Sequence, residues 1–202
     1  MTNQPLLLLL MIAASVYVAR LWRDDLRATR SGQPHPQALP GATPANCRGV
    51  LYASSGALVL LVLETVGEIQ LGIAGEQSHM TALFAVYSLS AAVIEELIFR
   101  GYLVVEHRGT TLRWAGIVGA SLLFALLHPF LWQWDEGWRW TPGLKGWFST
   151  GMVFLGSLWF YTARFAAWNP HRSLLPCFAA HASKNLGVIV IKAAQGFLVG
   201  WW

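Results

Sequence analysis

Acidic, basic and amide side chains interrupt the apolar stretches of this sequence at a few positions, namely Glu95, Glu96, Arg100, His128, His181 and Asn185. A carboxylate and an imidazole can move protons to and from water, and an imidazole with an amide can donate hydrogen bonds to an oxyanion. Ionisable groups are costly inside membrane helices unless they face a protein interior or water, so each one indicates a functional site. We expect these residues to form a hydrolytic centre.

The two adjacent glutamates are predicted to have different roles. Glu96 and Arg100 are four residues apart, so on a helix they share one face and can form a salt bridge. Glu95 points about 100° away around the same helix, which leaves its carboxylate free to accept a proton from water. The alternative is that both glutamates belong to a polar network that only packs helices together.

The two histidines lie on later segments. Phe124 and His128 are four residues apart, and Pro129 predicts a kink or an end of that helix. His181 and Asn185 are also four apart, which directs an imidazole and a carboxamide to one place. If the third helix runs on to Arg108, Glu95 and His128 both lie about 20 Å deep, and the His181–Asn185 pair about 10 to 17 Å deep. The residues can therefore meet, although each histidine alone could be structural.

The composition indicates that lipid is the solvent of this chain. Of 202 residues, 55% are hydrophobic and 12% are charged, against about a quarter charged in soluble domains. A crossing needs about 20 apolar residues, so this length holds about six transmembrane helices in one all-α, polytopic membrane bundle, residues 1–202. The net charge of +4 does not indicate nucleic acid, because the arginines lie at the ends of apolar segments. Cys47 and Cys177 have neither disulfide nor metal spacing.

Six apolar segments are predicted to be helical, at residues 5–22, 49–66, 81–105, 113–132, 147–167 and 174–199. The first could also be the core of a secretion signal, but no basic residue precedes it and no cleavage site follows, so we interpret it as a retained helix. Glu64 and Glu68 cut the second segment short, so that helix could be interfacial or tilted. Residues 23–48 contain four prolines and are predicted to be an irregular cytoplasmic loop.

The distribution of basic residues predicts the orientation. Arginines concentrate around the first, third and fifth loops, which places those loops in the cytoplasm and both termini outside an inner (plasma) membrane. Tryptophans crowd the fourth loop and the C-terminus, where indole rings are expected to anchor the chain at the water–lipid interface.

Three spaced motifs occur in order on separate apolar segments: Glu95-Glu96-x-x-x-Arg100, Phe124-x-x-x-His128 and His181-x-x-x-Asn185. Together they resemble the CPBP family of intramembrane proteases, which includes the type II CAAX prenyl endopeptidases and bacterial bacteriocin-processing or immunity proteins. The resemblance covers residues 81–199 as a catalytic core. It implies that Glu95 activates water, that His128 positions or deprotonates it, and that His181 and Asn185 stabilise the oxyanion. Glu96 and Arg100 have supporting roles.

The resemblance also implies a substrate class. The expected activity is hydrolysis of a peptide bond near the C-terminus of a membrane-associated protein, either lipid-modified or carrying a sorting tag, the latter with a sortase-like partner system. We expect no cofactor, although Glu95, His128 and His181 are residue types that suit zinc, without the compact H-E-x-x-H spacing. A non-catalytic immunity or scaffold protein and a proton or ion transporter remain alternatives. Transport is disfavoured because no paired repeats are found.

Overall fold

Six helices of 15 residues or more build the fold, in a computed structural model that describes residues 4–106, 108–134 and 137–202. In chain order they are α1 (Pro5–Arg30), α2 (Cys47–Gln70), α3 (Ala82–Glu96), α4 (Thr110–Leu127), α5 (Leu144–Phe165) and α6 (Leu175–Ala194). Smaller elements are a 3-10 turn (Ala74–Glu76), a π-turn (Leu97–Tyr102) and two strands, β1 (Trp132–Trp134) and β2 (Trp138–Trp140). The predicted helical bundle is confirmed.

Four helical stretches of the described chain are long and apolar enough to cross a membrane: α1, α2, α3 with its π-turn, and α4. Their outer faces carry exposed leucines, valines and aromatic side chains, for example Leu6, 71% exposed, and Val62, 61% exposed. So much exposed apolar surface suits lipid and not water. Helices α5 and α6 carry the buried cations Arg164, Lys184 and Lys192. The chain is a multi-pass membrane protein whose polar groups face inward.

Small residues bring α2 against α5 in the interior. Ala53 and Ala57 on α2 and Ala163 on α5 are fully buried. The indole N–H of Trp159 on α5 donates to the carbonyl oxygen of Ala53 at 2.8 Å. Small side chains at such positions let membrane helices approach closely, so that dispersion and hydrogen bonds hold them together.

Gly56 is predicted to be intolerant of even one added carbon. A Cβ at this position would collide with the ring of Trp159. We expect Gly56→Ala to lower the free energy of unfolding by about 1–3 kcal/mol, because overpacking forces helices apart. Gly119→Ala on α4 is the control, since nothing lies within 4 Å of a Cβ there; it should be neutral or stabilise by up to about 1 kcal/mol. Unfolding in detergent measures both, and equal effects would contradict this account of the α2–α5 contact.

The proline-rich loop is shorter and better packed than predicted. Helix α1 runs on to Arg30, so the irregular segment covers residues 31–46 and not 23–48. The indole N–H of Trp22 donates to Pro40 O at 3.1 Å, and the backbone N–H of Leu174 donates to Gly41 O at 3.0 Å. The loop is thereby fastened to α1 and to the start of α6.

The prediction that glutamates cut the second helix short is wrong. Helix α2 continues to Gln70, and both glutamates lie inside it because other elements supply partners. A carboxylate oxygen of Glu64 lies 2.8 Å from Lys184 Nζ on α6. Glu68 pairs with Lys145 of α5 and accepts from Gln77 Nε2 at 2.6 Å. Paired charges inside a bundle do not end a helix.

The fourth segment ends earlier than predicted. Helix α4 stops at Leu127 and not at residue 132. Pro129 disfavours the helical conformation of the residue before it, and His128 is accordingly extended, with ψ 127°. The predicted loop tryptophans form an antiparallel hairpin in which Trp132 faces Trp140 and Trp134 faces Trp138. Trp134 and Trp138 are 70% and 60% exposed, an arrangement available for the interfacial anchoring expected of them.

Candidate active site

Glu96 is the centre of a buried charge network between α3 and α6. It is fully buried, and its Oε1 accepts from Arg100 Nη1 at 3.0 Å. The same oxygen lies 2.8 Å from His181 Nδ1. Because a carboxylate only accepts, Nδ1 of His181 carries the proton and donates. The salt bridge predicted from spacing is present, and the contact with His181 was not foreseen.

Arg100 occupies a π-turn that follows α3 directly. The N–H of Leu103 donates to Ile98 O at 2.8 Å, the i→i+5 pattern of a π-helix. The carbonyl of Phe99 in this turn accepts a hydrogen bond from Tyr161 Oη at 2.6 Å. Helix α5 thereby supplies a hydroxyl donor to the widened turn.

The Arg100 guanidinium is fully buried and surrounded by α5 and α4. Its Nη2 donates to Ser157 Oγ at 2.5 Å and to Ser157 O at 3.2 Å. Its Cζ lies 4.6 Å from the Phe124 ring centroid, 5.0 Å from Tyr161 and 5.1 Å from Phe160. A desolvated cation needs such compensation by a carboxylate, acceptors and ring faces. Ser157, Phe160 and Tyr161 were not predicted from the sequence, although their i, i+3, i+4 spacing places them on one face of α5.

Glu95 faces a different direction from Glu96, as predicted. Its side chain is 32% exposed, and its Oε2 lies 3.7 Å from His181 Nε2. It lines a cleft of about 280 Å³ between α1 and α3, together with Met11, Ser15 and Tyr87. The expectation that this helix runs on to Arg108 is wrong, because the π-turn ends at Tyr102. At 1.5 Å per residue, Glu95 lies about 10 Å from that end.

His128 is held at the end of α4 by its own helix. Its Nδ1 lies 2.8 Å from Phe124 O, and because a carbonyl only accepts, Nδ1 donates and the neutral ring keeps a lone pair on Nε2. Its ring lies 4.8 Å from that of Phe124, which lies 6.0 Å from the ring of His181. Glu95, His181 and Lys184 are the titratable side chains that lie close enough to interact electrostatically with this ring. Phe124 therefore connects the two imidazoles.

Asn185 lies one helical turn beyond His181 and is used to join two helices. Its Nδ2 donates to Ser88 O on α3 at 2.9 Å. An amide nitrogen has two hydrogens, so one donor remains. The structure brings Arg100, His128 and His181 against the ring of Phe124. Glu95 and Glu96 join this group through His181, and Asn185 lies one turn further along α6. The ring of Phe160 stacks on that of His181, with 4.8 Å between the ring centroids.

The alternative zinc set is not assembled in this arrangement. Within the three described ranges, no group of three His, Cys, Asp or Glu side chains is placed to hold a metal ion. Nδ1 of His181 donates to Glu96, and Nδ1 of His128 donates to Phe124 O. In each ring Nε2 is the atom that remains available to water or substrate.

A family model described as type II CAAX prenyl endopeptidase Rce1-like matches residues 77–187, more than half of the chain. The chain belongs to this family. The match confirms the resemblance to the CPBP proteases. A search of curated proteins and a search of solved structures gave no match.

As a member of this family, the chain is an intramembrane endopeptidase, whose substrates are peptides or proteins in a lipid bilayer. The matched segment contains all three motifs, from Glu95 to Asn185. Helices α1 and α2 and the proline-rich loop lie before it. The cleft beside Glu95 is thus built partly by α1, outside the matched segment.

Proposed function

We propose that this Rce1-like protease cleaves a peptide bond near the C-terminus of a membrane-associated protein, lipid-modified or carrying a sorting tag, with Glu95 as the base that activates water. The observation that carries the proposal is the asymmetry of the glutamate pair. Glu96 is buried in an ion pair with Arg100, whereas Glu95 is one-third exposed beside a cleft and close to His181. Of these two glutamates, only Glu95 combines access to water with a carboxylate that is not held in a close, buried ion pair.

The proposed first step is attack of water on the scissile carbonyl. Glu95 removes a proton from the water as the new C–O bond forms, and the carbonyl electrons move to the oxygen. His128 presents Nε2, its unprotonated nitrogen, and positions the water through a hydrogen bond. Its ring orientation is fixed by the contact with Phe124 O.

The oxyanion is proposed to be stabilised by donors from α6. Nδ1 of His181 donates to Glu96, and Nε2 faces the Glu95 side of the site at 3.7 Å. We propose that Nε2 of His181 donates to the developing charge, in a step for which both ring nitrogens carry a proton. The remaining N–H of Asn185 is a second donor. Glu95 then returns its proton to the leaving amine as the C–N bond breaks, which restores the starting state.

We further propose that the enzyme lies in the plasma membrane with both termini outside, because arginines concentrate around the first, third and fifth loops. A sorting-tagged substrate would add a sortase-like partner system. No nucleic acid and no cofactor take part in the proposed reaction.

The proposal is tested by comparing protein termini in cells that carry the active enzyme or its Glu95→Gln form. Mass spectrometry should find membrane proteins shortened near their C-termini only with the active enzyme. The purified enzyme should cleave a peptide from such a protein and incorporate oxygen from labelled water. Identical termini in both strains would contradict the proposed substrate class.

The same purified reaction separates water activation by Glu95 from metal catalysis. Treatment with a chelator, followed by removal of the chelator, should leave the cleavage rate unchanged. Stoichiometric zinc, with activity lost on chelation and restored by zinc, would overturn the metal-free mechanism.

A further inference from the structure

A second group of cations surrounds the ring of Phe165, where α5 ends. The guanidinium carbons lie 5.8 Å (Arg113), 6.0 Å (Arg164) and 5.6 Å (Arg172) from the ring centroid. The three residues come from α4, α5 and the connection before α6. We call Arg113, Arg164 and Arg172 the arginine cluster. None of them belongs to the catalytic motifs.

Arg164 is buried without partners for two of its donor atoms. Its residue surface is only 6% exposed, and neither Nε nor Nη1 has a hydrogen-bond partner among the described residues. A basic residue in the last turn of a helix can donate to that helix's free carbonyls. Here Asn169 Nδ2 already donates to Ala163 O at 2.9 Å and to Arg164 O at 3.2 Å. The guanidinium is therefore not needed as a helix cap.

The cluster carries more positive than negative charge. Arg172 Nη1 donates to Glu106 at 2.9 Å, and the Glu106 carboxylate also acts on Arg164. Nε of Arg113 is a further buried donor without a partner in the described part of the chain. Buried charged donors without acceptors are costly, so an external anion with several acceptor oxygens would relieve this cost.

We propose that the arginine cluster binds a phosphate group, carried by an anionic phospholipid or present as free phosphate. Guanidinium forks match phosphate oxygens in geometry as well as charge. The start of α4 beside the cluster also presents lipid-facing surface, with Leu112 54% and Trp114 58% exposed on either side of Arg113. A phospholipid with its headgroup at the cluster would place its acyl chains on this surface. This favours a phospholipid as the source of the bound phosphate group.

The test uses the purified full chain in detergent. Thermal unfolding is measured with phosphatidylglycerol, with phosphatidylcholine, and with inorganic phosphate against chloride at equal ionic strength. Retained lipid is counted by native mass spectrometry. Arg164→Gln and Arg113→Gln are compared with Arg108→Gln, a control that removes the same charge from an exposed residue near the start of α4. If Arg164→Gln does not fold, Arg113→Gln decides.

We expect phosphatidylglycerol to stabilise the protein and phosphatidylcholine not to do so. The cluster variants should weaken this binding by about tenfold, the effect of losing one charged hydrogen bond, while Arg108→Gln should retain it. Stabilisation by phosphatidylglycerol alone assigns the site to a lipid headgroup, and equal stabilisation by inorganic phosphate assigns it to free phosphate. The proposal would be overturned if neither phosphatidylglycerol nor inorganic phosphate stabilised the protein, or if Arg108→Gln weakened the binding as much as the cluster variants do.

Discussion

Replacing Glu95 by glutamine should abolish peptide hydrolysis and leave the bundle folded. Glutamine keeps the shape of the side chain but has no basic oxygen to take the proton from water. General base catalysis contributes on the order of 100-fold to 10,000-fold, so we expect the turnover rate to fall at least about 100-fold. The fold should survive because Glu95 is one-third exposed, and its nearest ionic contact is His181 at 3.7 Å.

The measurement is the cleavage rate of the purified variant together with its unfolding temperature. Glu76→Gln is the matched control, because Glu76 is an exposed glutamate of the 3-10 turn before α3 and should retain full activity. A folded Glu95→Gln variant that cleaves at the normal rate would show that another group activates the water.

Replacing Arg100 by methionine should produce the largest loss of stability. Arg100 and Glu96 are both fully buried and paired at 3.0 Å. Removal of the guanidinium leaves a buried carboxylate without its cation and Ser157 without its donor. Breaking a buried pair on one side costs about 3–5 kcal/mol. Unfolding of the purified protein in detergent measures this loss.

Two comparisons make this prediction specific to the ion pair. Arg27→Met removes an exposed arginine 3.4 Å from Asp24 and should cost less than about 1 kcal/mol. The double variant Glu96→Gln with Arg100→Met should be more stable than Arg100→Met alone, because no uncompensated charge remains. A double variant that is still less stable would assign the effect to lost packing around the guanidinium.

Much of the fold was predictable because lipid imposes a simple rule on sequence. Every crossing must be a run of apolar residues, so the runs at 5–22 and 81–105 predicted α1 and α3. The Glu96–Arg100 contact was also predictable, because it joins two residues on one helical segment. The match at residues 77–187 confirms the family that the motifs indicated.

The contacts between helices were not predictable from the chain alone. The bond between Glu96 and His181 depends on the rotation of α3 against α6, which apolar surfaces in lipid do not determine. The burial of Glu64 and Glu68 depends on lysines far along the chain. The hairpin after Pro129 is rich in tryptophan, a residue that also suits a helix end at the interface.

The π-turn after Glu96 has a consequence for how this chain can vary. Because Leu103 bonds to Ile98, losing one residue between Leu97 and Tyr102 would turn the segment into an ordinary α-helix. The two glutamates would then rotate by about 100° relative to everything that follows. The buried face of α5, where Tyr161 donates to Phe99 O, would then no longer meet the turn in its present position. An insertion or deletion in this turn should therefore be more damaging than the exchange of an exposed side chain there, such as Tyr102, which is 61% exposed.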